Sequence, residues 1–236
     1  MNPAPATNLE HWLTARKGQF SPVVPVTAND KIIALDFTAT NAALTETIVS
    51  DTTAFSAYIH QVLQQAAARY GIGGYGEHRT LYSRSAVFDT VDGQEPRRLH
   101  LGTDIWGAAG TPVAAPLAAT VHSFAYNNAF GDYGATIILQ HEADGSVFYT
   151  LYGHLNAAAL QQLEEGQAVQ PGQPFAAFGQ PHENGHWPPH LHFQIIKDLQ
   201  GYRGDYPGVC RFSQRELYLA NCPDPDLLLN LNHFVK

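Results

Sequence analysis

The chain has 236 residues, of which 44% are hydrophobic and 14% charged, enough apolar content for one large or two modest cores and too much for a disordered chain. A formal net charge of −8 would repel a phosphate backbone, so no nucleic-acid partner is expected. Twenty glycines, fifteen prolines and 11% aromatic residues favour a β-rich, loop-rich body over a helical bundle.

The first twenty residues, MNPAPATNLEHWLTARKGQF, lack a basic segment followed by an apolar one, and no run approaches eighteen apolar residues. The expectation is therefore a chain without a transmembrane segment, and a cytoplasmic one unless it is trimmed or exported by another route. Lys31–Phe37 has the apolar run of a strand. Phe55, Ile59, Val62, Leu63 and Ala66 recur at helical spacing, which predicts a helix closed by Gly71, with His60 on its polar face. GIGGYGEHRTLYSRSAVF is glycine-rich but lacks a strand before and a helix after a nucleotide loop, and is expected to be a linker over 71–90. Its polar groups Arg79, Tyr82 and Arg84 could border a cleft, but the expected setting is a solvated loop. The N-terminal region, 1–90, thus has strand and helix content and no assigned role.

From Leu99 the pattern changes to short strands separated by Gly, Pro and Asn turns. Strands are expected from Ala118 to Tyr126, from Ala135 to His141, and over VFYTLYGHL. The last two are joined at an Asp-Gly pair as a hairpin. A short helix over NAAALQQLEEGQAV, a turn and strand over QPGQPFAAFG, and a final strand HLHFQII complete the set. The fold class is mainly β, α+β overall: an antiparallel sandwich or half-barrel over 91–200, an α/β N-terminal region, and a C-terminal extension over 201–236 packing on the domain. Cys210 and Cys222, in that extension, require no disulfide.

Zinc takes imidazole nitrogen and carboxylate oxygen, and a catalytic zinc commonly has three protein ligands and an open position. LHLGTDIWG offers His100 and Asp104, with Gly102 between them to let the loop fold tightly. Alone, H-x-x-x-D is a weak pattern. His190 and His192 stand at i and i+2 of a strand and so share a face, and YGHL ends its strand at His154, where a third imidazole could face the same place. Imidazoles gathered on an otherwise apolar face carry a desolvation cost that argues for a use.

The segments HLGTD, GTPV, GATIILQH, YTLYGHL, VQPGQ and PHLHFQI, in this order between Leu99 and Ile196, resemble the lysostaphin/LytM-type peptidases, the M23 family of zinc endopeptidases. The resemblance implies zinc held by His100, Asp104 and His192, with His154 and His190 as two catalytic histidines that do not bind metal. It implies a peptidase acting on peptide or peptidoglycan-type substrates, through a metal-activated water assisted by those histidines, whose pKa values would have to lie near neutrality. Family members act on cell-wall peptidoglycan outside the membrane, which a cytoplasmic chain would not. Two rival classes are a non-catalytic module holding a peptide or glycan in the same groove, and a cytoplasmic metallohydrolase acting on another amide. The chain departs from the family's short turn before PHLHF with PHENGHWPP, whose His182 and His186 are expected as exposed loop residues and whose Trp187 and proline pair stiffen the approach to His190. His122 and His141 are expected to pack, and Asp132 to serve a turn.

Overall fold

A computed structural model describes residues 9–89 and 93–235. The expected boundary at residue 90 lies outside the described residues. In chain order the strands are β1 (Ile32–Leu35), β2 (Tyr70–Gly73), β3 (Leu99–His100), β4 (Thr103–Trp106), β5 (Pro112–Ala114), β6 (Ala119–Asn127), β7 (Gly134–Ala143), β8 (Ser146–Leu155), β9 (Ala168–Val169), β10 (Pro174–Ala177), β11 (His190–Ile196) and β12 (Val209–Cys210). The α-helices are α1 (Leu9–Ala15), α2 (Glu46–Ser50), α3 (Thr52–Gln65), α4 (Arg215–Asn221) and α5 (Asp226–Leu229).

Eight strands form one sheet in the order β1-β2-β4-β11-β8-β7-β6-β9, with two-stranded sheets β5–β10 and β3–β12 beside it. The sheet is antiparallel except for β1 and β2, whose parallel pairing is bridged by α2 and α3. It stays open at both edges, so the mainly β expectation holds without a closed barrel. The β7–β8 hairpin turns through Asp144 and Gly145, both at positive φ (47° and 78°), the geometry an Asp-Gly hairpin turn requires.

Two features differ from the sequence expectation. The helix that starts at Asp51, whose carboxylate accepts from Ala54 N at 2.7 Å, stops at Ala66 rather than reaching Gly71. Ala67 takes the left-handed conformation (φ 49°), and the amides of Ala67 and Ala68 donate to the carbonyls of Gln64 and Leu63, a complete helix-terminating turn built on alanine. Gly71 therefore lies in β2, and Tyr70–Gly73, expected to open a linker, is a fully buried strand of the central sheet.

Every residue of β11 is buried, because both faces of the sheet are covered. Leu191, Phe193 and Ile195 enter the main core with Ile105, Ile137 and Tyr152. The opposite face carries a second cluster, in which Phe55 of α3 packs on Trp106 (ring centroids 5.8 Å), Phe37 (6.3 Å) and Trp187 (6.4 Å). Leu228 and Leu229 of α5 and Leu231 pack into the main core. Cys210 and Cys222 are buried free thiols. Among the described residues no helix is long and apolar enough to cross a membrane.

Because Phe55 is fully buried, Phe55→Ala should destabilise the chain by about 3–5 kcal/mol in urea titrations. A loss below roughly 1 kcal/mol would mean that α3 does not hold the site face of the sheet in solution.

Candidate active site

Strand register builds the site. On β11, His192 pairs with Asp104 of β4 and His190 pairs with Trp106. Cross-strand partners share a face, so Asp104, His192 and His190 stand together on the face opposite the main core. His100 arrives from β3, which pairs with β12 rather than with the large sheet, and lies under the loop after β2: its amide donates to Glu77 O at 3.0 Å.

Three ligand-type atoms converge. His100 Nε2 lies 3.0 Å from His192 Nδ1 and 3.2 Å from Asp104 Oδ1, and His192 Nδ1 lies 3.0 Å from Asp104 Oδ1. A tetrahedral zinc with bonds of about 2.0–2.1 Å sets its ligand atoms about 3.3 Å apart, close to this triangle. The remaining ring nitrogens are already committed. His100 Nδ1–H donates to Gly74 O at 2.9 Å, and His192 Nε2–H donates to Gln194 Oε1 at 3.0 Å. Each tautomer thus leaves its other nitrogen bare toward the common point, as in sites where an outer acceptor fixes the ligating ring. Among the described residues, His100, Asp104 and His192 are the group placed to hold a metal ion.

A Cβ at Gly102 would sit 2.6 Å from His192 Cε1, so glycine here also makes room for the His192 ring.

Beside the triangle, the His154 and His190 rings stack at 4.0 Å, and His190 lies flat on Trp106 at 3.9 Å. His154 adopts a positive φ of 62° at the end of β8, a strained backbone for a non-glycine residue of the kind concentrated at functional sites. His154 Nδ1–H donates to Asn184 O and His190 Nδ1–H to Pro188 O, both at 2.8 Å, which leaves each Nε2 free. Burial pushes the His190 imidazolium pKa down to about 4 and that of His154 well below the ordinary value, the latter helped by His190. This corrects the expectation of near-neutral pKa values: both rings are neutral at pH 7 because the site excludes water.

Burial also lowers His100 to about 4, assisted by the Arg79 charge. For Asp104, burial alone would raise the carboxyl pKa, but His100 and Arg79 hold it well below the carboxylate range.

Arg79 and Tyr82, which the sequence placed in a solvated loop, and Tyr133, which it did not single out, all border the site. Arg79 and Tyr82 are buried beside the His100–Asp104–His192 triangle rather than solvated, with Arg79 Nη1 donating to Asp104 Oδ2 at 2.5 Å. The Tyr133 hydroxyl stands 3.5 Å from His192 Nε2. A cleft of about 230 Å³ opens over Asp104, His154, His190 and His192, walled by Tyr82 and Phe88 from the N-terminal region and by Trp187. His182 and His186 are exposed, as expected of loop residues. His141 is buried between Ala118 O and Thr150 Oγ1, a packing role, and Asp132 caps its own turn through the Tyr133 amide.

Residues 98–203 match the model of Peptidase family M23, so the resemblance carried by the motifs is shown over that segment. The L-Ala--D-Glu endopeptidase of Bacillus subtilis is 34% identical over 140 residues, covering 55% of this chain and 41% of that protein. The chain thus spans about two fifths of this curated relative. Partial structural overlaps are found with a zinc-containing peptidase from Vibrio cholerae (29% identity, 42% of this chain and 27% of that one, TM-score 0.34). The catalytic domain of the antimicrobial peptidase lysostaphin from Staphylococcus simulans overlaps likewise (22%, 67% and 96%, TM-score 0.39).

The depressed histidine pKa values set a pH dependence for the metal-free chain. Unfolded histidines bind protons below about pH 6.5, whereas His100 and His190, and likewise His141, do so only near 4 when folded. Between those values the unfolded state binds more protons. Stability of the apo-protein should therefore be fully present above about pH 6.5 and fall as the pH drops toward 4. Thermal melts across that window would show it, and a Tm that stays flat would contradict the burial of these imidazoles.

Proposed function

We propose that the chain is a zinc-dependent endopeptidase that hydrolyses a peptide bond in cell-wall peptidoglycan peptides. The observation that carries this reading is the convergence of His100 Nε2, Asp104 Oδ1 and His192 Nδ1, with two buried neutral histidines beside them. The donor set is that of a catalytic zinc, two imidazoles and one carboxylate, and the tautomers are already fixed for it. The substrate class comes from the similarity to the L-Ala--D-Glu endopeptidase.

A zinc ion in that triangle would supply an acidified water and polarise the scissile carbonyl. The protein's own groups divide the remaining work. His154 and His190 present unprotonated Nε2 atoms held by carbonyl acceptors behind them. In that state either ring can take the proton of the attacking water, and the protonated ring can then donate to the developing oxyanion or the leaving amine. Trp106, flat against His190, fixes that ring's plane. Tyr82, Phe88 and Trp187 exclude water from the wall of the cleft, which strengthens every charge interaction inside it.

The test uses purified full-length protein loaded with zinc and a panel of muropeptides, including L-Ala–D-Glu linkages and pentaglycine. One zinc per chain and cleavage within the panel are expected. His154→Ala should retain zinc and lose roughly 10²–10⁴-fold in rate, whereas Asp104→Ala and His192→Ala should lose the metal itself. Zinc binding without hydrolysis of any peptide would favour a binding module and overturn the assignment.

A further inference from the structure

The strand row through the metal triangle reads Gly73 (β2), Asp104 (β4), His192 (β11), Gly153 (β8). The two glycines flank the two ligands, and their missing side chains leave room that residues from outside the row occupy. Over Gly153 lies Tyr133, whose Cδ1 would be 2.5 Å from a Cβ at that position. Over Gly73 lies Arg79, whose Nη2 would be 2.6 Å from such a Cβ. The glycine of β2 thus opens the path by which a guanidinium reaches Asp104.

Arg79 is 1% exposed, and its contacts are directed. Nη1 donates to Asp104 Oδ2 at 2.5 Å and to the Tyr82 hydroxyl at 3.0 Å, and Nε donates to Glu77 Oε2 at 2.6 Å. Glu77 is itself anchored, its Oε1 accepting from the Phe37 amide at 3.1 Å, and the guanidinium lies 5.1 Å from the Phe37 ring centroid. The carboxylate of Asp104 is therefore divided: Oδ2 belongs to Arg79, while Oδ1 faces His100 and His192. We propose that Arg79 is a positioning residue of the metal centre, which holds Asp104 to one-oxygen coordination, and that the segment from Tyr70 to Tyr82 is a working part of that centre although it lies before the residues that match the peptidase family. The same segment supplies the Gly74 carbonyl that orients His100, so two of the three metal ligands take their orientation from it.

This rests on the zinc peptidase reading, and the two can fail separately. A positioning role and a mere neighbouring charge predict opposite signs. Removing a cation that touches Asp104 would, by Coulomb attraction alone, tighten binding of a divalent ion. Losing the group that orients a ligand weakens it, typically by roughly ten- to a hundredfold.

The experiment is a zinc competition titration, with the electronic absorption of the cobalt(II) form, on full-length wild type, Arg79→Met, Arg79→Lys and Glu77→Gln. Arg79→Met should raise the zinc Kd by roughly ten- to a hundredfold and weaken the cobalt absorption as Asp104 becomes free to bind through both oxygens. Arg79→Lys should recover part of the loss, since a point charge replaces a planar fork, and Glu77→Gln should give a smaller loss of the same sign. Should Arg79→Met fail to fold by circular dichroism, the other two variants carry the test. Unchanged or tighter zinc binding with an unchanged cobalt spectrum in the folded variants would overturn the positioning role and leave the peptidase reading intact. A wild type that binds no zinc in the same titration would overturn both.

Discussion

The antiparallel register of β4 on β11 is the constraint on which the site depends. It pairs Asp104 with His192 and Trp106 with His190, setting two members of the convergent His100–Asp104–His192 group and a stacked histidine on one face in a single stroke. A slip of one residue would send every one of these groups into the main core and bring Leu191, Phe193 and Ile105 out of it. The hydrophobic half of β11 therefore enforces the position of the polar half. The apolar cost of a slip, several large side chains exposed together, is what holds the imidazoles where water would otherwise draw them out.

That arrangement carries a penalty, and the surrounding residues offset it. Buried imidazoles and a buried carboxylate are costly unless every polar atom is matched. Here Gly74, Asn184 and Pro188 provide carbonyls for three of the rings, Gln194 takes the fourth, and Arg79 takes the outer oxygen of Asp104. Of the atoms of His100, Asp104 and His192, those left without an outer partner point inward: His100 Nε2, His192 Nδ1 and Asp104 Oδ1 crowd one another at 3.0–3.2 Å, a cluster of acceptors that calls for a shared cation or proton. The protein is thus built to be incomplete at one point, and the same desolvation that keeps His154 and His190 neutral makes that point electrostatically sharp.

Much of this was legible in the chain. The alternation in PHLHF places His190 and His192 on one face by strand geometry alone, and the order of the short motifs names the upstream partners. The hairpin, with its Asp-Gly turn, follows from local chemistry. Most of what was not legible lies before residue 98. Tyr70–Gly73 is four residues long and half glycine, with no alternation to mark it as a strand, and its place in the sheet is set by a partner more than thirty residues away. Gly71 resembled a helix terminus because alanine, at Ala67, rarely does that work. Arg79 looked like a solvated cation because a buried arginine is recognisable only once its two carboxylates are known, and Asp104 stands 25 residues on. The histidine pKa values likewise follow from burial, which residue identity does not encode.

The central claim, one metal centre shared by His100, Asp104 and His192, is tested most directly by a crystal structure of the zinc-loaded full-length chain with anomalous diffraction at the zinc edge. The expected result is a single anomalous peak about 2.0–2.1 Å from His100 Nε2, Asp104 Oδ1 and His192 Nδ1, with His154 and His190 outside bonding distance. A peak coordinated by His154 or His190, or located away from this triangle, would contradict it.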